Sequence, residues 1–263
     1  MLRNRIIFSL VYADGDFNQS RNFRLQKVGN LSWLNQNYKF SKIANSIDEL
    51  IVLDASRKNR SIDSFSEVIE KLVNNVFVPI CAGGGVRSLE DVDRLFNSGA
   101  DKIILNSILY ENPKLVIELV KIYGSQSIVA SIDYKNNEGV NEVYIENGST
   151  KINFEFLKYI NYVQSLNIGE IYLNSIEKDG TGFGYDFETI EAITNGITVP
   201  LIIAGGAGNE KHFIEGLNIS GVSAVATANL FNFVGDGLPN AREKMIDNGL
   251  NLVNWNENKR AIF

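Results

Sequence analysis

Eight short hydrophobic runs alternating with amphipathic stretches, and an internal repeat about half the chain long, predict a (β/α)8 barrel for this 263-residue sequence. The runs cover residues 5–11, 49–54, 76–82, 101–106, 127–133, 169–174, 199–204 and 222–228. Each is strand-sized and nearly uninterrupted, as strands of a parallel sheet covered on its outer face must be. Residues 1–263 read as one barrel domain, with 250–263 as a C-terminal tail. Barrels of about 250 residues are routinely single domains.

Taken in order, the stretches between the runs carry apolar residues at helical spacing over 61–74, 88–98, 112–123, 153–166 and 209–219. Ser88-Leu89-Glu90-Asp91 is a serine cap followed by acidic first-turn residues, and Asn112-Pro113 puts proline at a first helical position. Two connections, 12–32 and 134–152, exceed the usual length and are expected to lie as loops at the C-terminal face of the strands. The repeat is explicit. Val78-Pro79-Ile80-Cys81-Ala82-Gly83-Gly84-Gly85 recurs 121 residues later as Val199-Pro200-Leu201-Ile202-Ile203-Ala204-Gly205-Gly206, and Glu49 recurs as Glu170 at the same offset. A half-barrel of four βα units has been duplicated.

Composition narrows the function classes. A net charge of -6 without any basic block argues against nucleic acid and against anionic membrane as partners. No apolar run is long enough for a bilayer span, and the reading is cytoplasmic. The single cysteine, Cys81, excludes an intramolecular disulfide and a cysteine metal cluster, so no metal and no cofactor is expected. The one histidine, His212, falls inside a predicted helix and reads as a surface or packing residue. Cys81 reads as core and Trp33 and Trp255 as packing anchors.

The glycine motifs carry the first chemistry. Gly83 and Gly84, like Gly205 and Gly206, end a strand and open a helix. Bare amides and a helix N-terminus there suit phosphate, whose oxygens approach only small residues. Each motif has a polar partner after the next strand, Asn106-Ser107 and Ala228-Asn229. Two such sites on opposite rims imply a long ligand with phosphate at both ends. Three carboxylates also end strands or open the loops after them. Asp133 is a candidate general acid or base, or else orients the neighbouring loop. Asp179 with Gly180 suits ligand binding, and Asp54 fits a buried hydrogen-bonding role as well as a catalytic one. At the other face, Arg5, Glu49, Lys102 and Glu170 each precede a buried strand. A ring closed by two ion pairs would satisfy all four and plug the barrel base.

With these residues in place, the chain resembles the cyclase subunits of imidazole glycerol phosphate synthase over nearly its full length. The resemblance rests on Arg5-Ile6-Ile7, Asp48-Glu49-Leu50-Ile51-Val52-Leu53-Asp54, Gly83-Gly84-Gly85-Val86-Arg87-Ser88, Gly99-Ala100-Asp101-Lys102, Ile132-Asp133, Asp179-Gly180-Thr181 and Gly205-Gly206-Ala207-Gly208. It implies a (β/α)8 barrel that takes ammonia from a glutaminase subunit docked at the N-terminal face, as a heterodimer with a HisH-type partner. A doubly phosphorylated small molecule is then cleaved and cyclised at the other face. On this resemblance Arg5, Glu49, Lys102 and Glu170 are the ammonia gate, Asp101 is a docking contact, and Asp133 is one of two catalytic aspartates. The phosphate sites fall on the glycine motifs, Asn106, Ser107, Ala228 and Asn229.

The second aspartate is absent. Where the family has Leu-Asp-Val, this chain has Leu10-Val11-Tyr12, and a lysine of the following loop is lost from Asp14-Gly15-Asp16-Phe17-Asn18-Gln19-Ser20. Valine transfers no proton, and such groups typically contribute about 10²–10⁴-fold. The pattern is similar to that of diverged paralogues that accompany surface-glycan genes and pass ammonia to a sugar amidotransferase. Diversion to glycan amidation is therefore the leading expectation. A working cyclase of histidine biosynthesis, with Asp14 or Asp16 in place of the lost acid, is the alternative. A non-catalytic scaffold that activates the glutaminase is a third.

Overall fold

A computed structural model describes residues 3–38, 46–229 and 236–254. In chain order it contains β1 (Arg5–Ala13), β2 (Asp16–Arg21), β3 (Arg24–Gly29), α1 (Leu31–Tyr38), β4 (Glu49–Asp54), α2 (Ile62–Val73), β5 (Ile80–Gly83), α3 (Leu89–Asn97) and β6 (Lys102–Leu105). There follow α4 (Ser107–Glu111), α5 (Pro113–Tyr123), β7 (Ile128–Asn137), β8 (Val140–Ile145), β9 (Thr150–Glu155), α6 (Phe156–Ser165), β10 (Glu170–Ser175), α7 (Phe187–Ile193), β11 (Leu201–Ala204), α8 (Glu210–Asn218), β12 (Val222–Thr227) and α9 (Gly237–Asp247). Strands β1, β4, β5, β6, β7, β10, β11 and β12 pair in that order, all parallel, and β12 closes on β1. The chain is a (β/α)8 barrel. Among the described residues, no helix is long and apolar enough to cross a membrane.

Side-chain alternation along each strand divides the core into two layers. Phe8, Leu10, Val52, Ile103 and Ile203 point outward and pack with Phe65, Leu95 and Phe213 from the helices. Ile7, Ile51, Cys81, Val129, Tyr172, Ile202 and Ala224 point inward and fill the barrel. The predicted caps are present. Ser88 and Asp91 form a capping box on α3, and Asn112 caps α5 ahead of Pro113. Trp33 packs on the core across Gly29, and Trp255 lies outside the described residues.

Two expectations change, and part of the tail is placed. Strands predicted from 76 and 199 begin only at Ile80 and Leu201. Pro79 and Pro200 have no N–H to give the ladder, although their carbonyls accept from Leu50 and Ile171. The two long loops are hairpins, β2–β3 and β8–β9, that extend β1 and β7 beyond the barrel rim. Their turns, Asp14-Gly15, Asn22-Phe23 and Glu138-Gly139, hold both central residues at positive φ, as tight two-residue hairpin turns require. Finally, residues 250–254 of the expected tail pack back on the barrel. Asn4 donates to the Asn251 carbonyl, and buried Arg242 of α9 holds the Val253 carbonyl while forming a two-pronged pair with Asp48 at 2.8 and 2.9 Å.

Candidate functional site

At the N-terminal end of the barrel the four predicted charges form a closed ring. Arg5 contacts Glu49 at 3.0 Å and Glu170 at 2.9 Å, and Lys102 contacts the same two carboxylates at 2.9 Å each. The ring therefore has four ion pairs where two were expected, because charge alternates around β1, β4, β6 and β10. Burial lifts the Glu49 carboxyl above its ordinary range despite both cations, and its Oε1 has no hydrogen-bond partner among the described residues. Burial also opposes the Glu170 charge, but Arg5 and Lys102 outweigh it and hold that carboxyl below its ordinary range. Asp101 lies beside the ring, exposed, with Oδ2 accepting from the Ile80 amide at 2.8 Å.

Cys81 is wholly buried in the barrel interior and its thiol is pushed well up by burial, with all four ring charges acting on it. Farther along the barrel, Tyr172 reaches across from β10 to share a hydrogen bond of 3.4 Å with Ser9 on β1. Ala204, Ala224 and Ala226, on the two strands between them, leave room for the phenol ring. No motif in the sequence singles out this tyrosine. Parity alone would have found it, since residues 170, 172 and 174 of one strand share a face.

Above this crossing opens a cavity at the C-terminal ends of the strands, lined by Asn106, Ser107, Asp133, Asp179, Gly180, Ala228, Asn229 and the glycines Gly84, Gly85, Gly205 and Gly206. Gly83 is not among the lining residues. It is buried in β5, where a Cβ would strike the Ile104 carbonyl, and Gly85 takes its predicted place. Gly84 and Gly206, at φ +111° and +109°, press against the Asp54 backbone and the Gly184 carbonyl, so only glycine fits either turn. The helix N-termini predicted to help are partly occupied by their caps. Ser88 and Asp91 cap α3, Asn209 caps α8, and Nδ1 of His212 accepts from the Gly208 amide, a specific role that the sequence did not suggest. The amides of Gly84, Gly85, Gly205 and Gly206 find no acceptor among the described residues. Those four N–H groups are donors that the rims can offer an anion.

Asp133 stands at the cavity floor. It is 8% exposed, and burial pushes its carboxyl up to about 7, with a hydrogen bond from Ser131 opposing and the charge of Asp179 assisting. Ser131 donates to Oδ1 at 3.2 Å and Asn106 donates to Oδ2 at 3.2 Å. A carboxyl poised near neutrality can give or take a proton. Val11 lines the same cavity from β1, so the position carries no second acid. Neither alternative acid reaches it: Asp14 is exposed in a turn, and Asp16 pairs with Lys27 at 2.6 Å, outside the lining. Asp179 faces the cavity but spends Oδ2 on the first hairpin, accepting from the Ser20 hydroxyl at 2.5 Å and the Phe23 amide at 3.1 Å. Ser107 accepts from the Glu146 amide at 3.2 Å, steadying the second hairpin's turn. Asp54 is buried, accepts from the Ser56 amide and pairs with Arg60, the bland role the sequence allowed. Arg57, Arg60 and Arg87 line the cavity as well; Arg87 stands in the Gly83–Ser88 segment that carries the resemblance, but no sequence pattern assigned any of the three a role.

Comparison with known proteins agrees with this architecture. A family model described as "Histidine biosynthesis protein" matches residues 17–235. The chain is 46% identical over 244 residues, 93% of its length and 91% of the relative's, to a protein of Parasynechococcus marenigrum provisionally named imidazole glycerol phosphate synthase subunit hisF2. It is 40% identical over 186 residues to the imidazole glycerol phosphate synthase subunit HisF of Pyrobaculum aerophilum, covering 71% of this chain and 73% of that one. With the HisF subunit of Bacteroides thetaiotaomicron it shares 31% identity over 253 residues, 96% of this chain and 99% of the other. Barrel, repeat and sequence together make the chain a member of the HisF family of histidine biosynthesis proteins.

Proposed function

We propose that the chain is the barrel subunit of a cytoplasmic glutamine-dependent ammonia-transfer complex, diverted from cyclisation to the amidation of a sugar in glycan biosynthesis. A HisH-type glutaminase docks on the N-terminal face beside Asp101, and ammonia enters through Arg5, Glu49, Lys102 and Glu170. A ligand anchored at Gly84, Asn106 and Ser107 on one rim, and at Gly180, Gly205, Gly206, Ala228 and Asn229 on the other, lies over Asp133. A sugar amidotransferase receives the ammonia or the activated product. The observation that carries this reading is the closed four-pair ring at one end of a barrel whose other end holds Asp133 opposite Val11. Delivery is intact while half of the acid–base pair is a hydrocarbon.

A second reading has its own support. Relatives such as the Pyrobaculum protein carry the name of the synthase subunit, and Asp133 keeps a carboxyl pushed up to about 7 at the cavity floor. On that reading the chain still cyclises the histidine-pathway ribulosyl formimino substrate with one aspartate. The deciding assay supplies that substrate with excess ammonium salt and no glutaminase, so that docking and the gate are bypassed. The expected result is binding of the substrate without product. Product at a rate within about 10²-fold of a HisF enzyme assayed beside it would overturn the diversion, since losing one acid–base group ordinarily costs at least that much.

A further inference from the structure

The cavity is electrically lopsided. Among the described residues, the cationic side chains that line it, Arg57, Arg60 and Arg87, all belong to the half that carries Gly84 and Gly85. Arg60 lies directly over Gly85, where a Cβ would collide with its side chain. Its hold on Asp54 is loose: Nε stands 3.7 Å from the carboxylate, and Nη2 donates to the Asp54 carbonyl at 3.3 Å. A guanidinium has five N–H donors, so most of the fork is available to an acceptor in the cavity. Among the described residues, Arg57 is held by the carbonyls of Phe23 at 3.3 Å and Asn147 at 3.5 Å. The opposite rim differs. Gly205 and Gly206 offer amides, the charged lining residues of that half are the carboxylates of Asp133, Glu146 and Asp179, and Lys178, whose Cβ lies over Gly206, is not among the lining residues.

We infer that the ligand carries its charge unevenly, with a phosphate or diphosphate ester at Gly84–Gly85 clamped by Arg60 and Arg57, and a less charged polar group at Gly205–Gly206. This rests on the two-rimmed ligand site proposed above. Arg60 exchanges its loose contact with Asp54 for paired donation to phosphate oxygens, the geometry for which guanidinium is suited. The pseudo-symmetric cavity is thereby given a polarity that the glycine repeat alone does not have.

Inorganic phosphate titrated into the full chain at constant ionic strength, followed by amide nuclear magnetic resonance, tests this directly. Amides of Gly84, Gly85 and Asn106 are expected to respond at roughly tenfold lower phosphate than those of Gly205, Gly206 and Asn229. Arg60→Gln, and independently Arg57→Gln, should raise the first midpoint several-fold and leave the second unchanged. Equal midpoints at both rims, or a first midpoint indifferent to both substitutions, would overturn the inference while leaving the two-rimmed site standing. Silence at both rims would overturn the site itself.

Discussion

Asp133→Asn is expected to make the protein more stable, by about 4 kcal/mol at pH 8, and the gain should vanish below pH 4. The reason is the carboxyl's burial. In the folded chain it holds its proton up to about 7, against an ordinary value of 3.8. Unfolding at neutral pH releases that proton, so the stability that protonated Asp133 contributes is complete below about pH 4 and is lost as pH rises to about 7. Each unit of displacement is worth about 1.4 kcal/mol, which gives the figure above. Asparagine has no proton to lose. Its side-chain oxygen can accept from Asn106, whose Nδ2 also keeps the Ser131 carbonyl, and its amide can donate to the Ser131 hydroxyl oxygen. Thermal melts of both proteins from pH 4 to 8 should therefore diverge with rising pH, reaching a difference of roughly 10 °C. Parallel curves would mean that Asp133 ionises like an ordinary surface carboxylate. A buried acid kept at such a cost is what the proposed catalytic role would require.

Arg242→Ala is expected to act in the opposite direction, costing about 3–5 kcal/mol. Arg242 is 3% exposed and joins α9 to the start of the barrel through Asp48, whose Oδ2 also accepts from the Ile6 amide at 2.8 Å. Removing the cation strands a buried carboxylate and releases the Val253 carbonyl together with residues 250–254. Arg242→Lys should recover less than half of the loss, because an ammonium cannot reproduce the two-pronged contact. Pairing Arg242→Met with Asp48→Asn should recover more, since no buried charge then remains unpaired. Denaturant unfolding of the four proteins measures all of this, and a loss below about 1 kcal/mol in Arg242→Ala would show that α9 is held by apolar packing alone.

The barrel was legible because its strands are apolar on both faces and its glycine turns repeat. The ring was legible because each member stands immediately before such a strand. The hairpins were not, although Asp14-Gly15 is a turn signal. Residues such as Asn18, Gln19, Gln26 and Lys27 break any apolar alternation along β2 and β3, although Phe17 and Val28 join the core. The starts of β5 and β11 were misplaced by reading Val76, Val78 and Val199 for hydrophobicity without asking what Pro79 and Pro200 could donate. Asp133 was found by its place at a strand end, but its partner Asn106 lies 27 residues away and only closure of the barrel brings the two together. The arginines were invisible for the same reason. Nothing local in Arg57-Lys58-Asn59-Arg60 says that Gly85 will lie beneath the last of them.

The hairpin tips meet over the cavity. The Phe23 ring rests against Gly148, and Arg57 ties the carbonyls of Phe23 and Asn147 to the loop after β4. On the function proposed above, a ligand wide enough to need that space would pass between the two β-ribbons, whereas ammonia would come from the opposite end of the barrel. A single barrel would then serve guests of two sizes through separate doors.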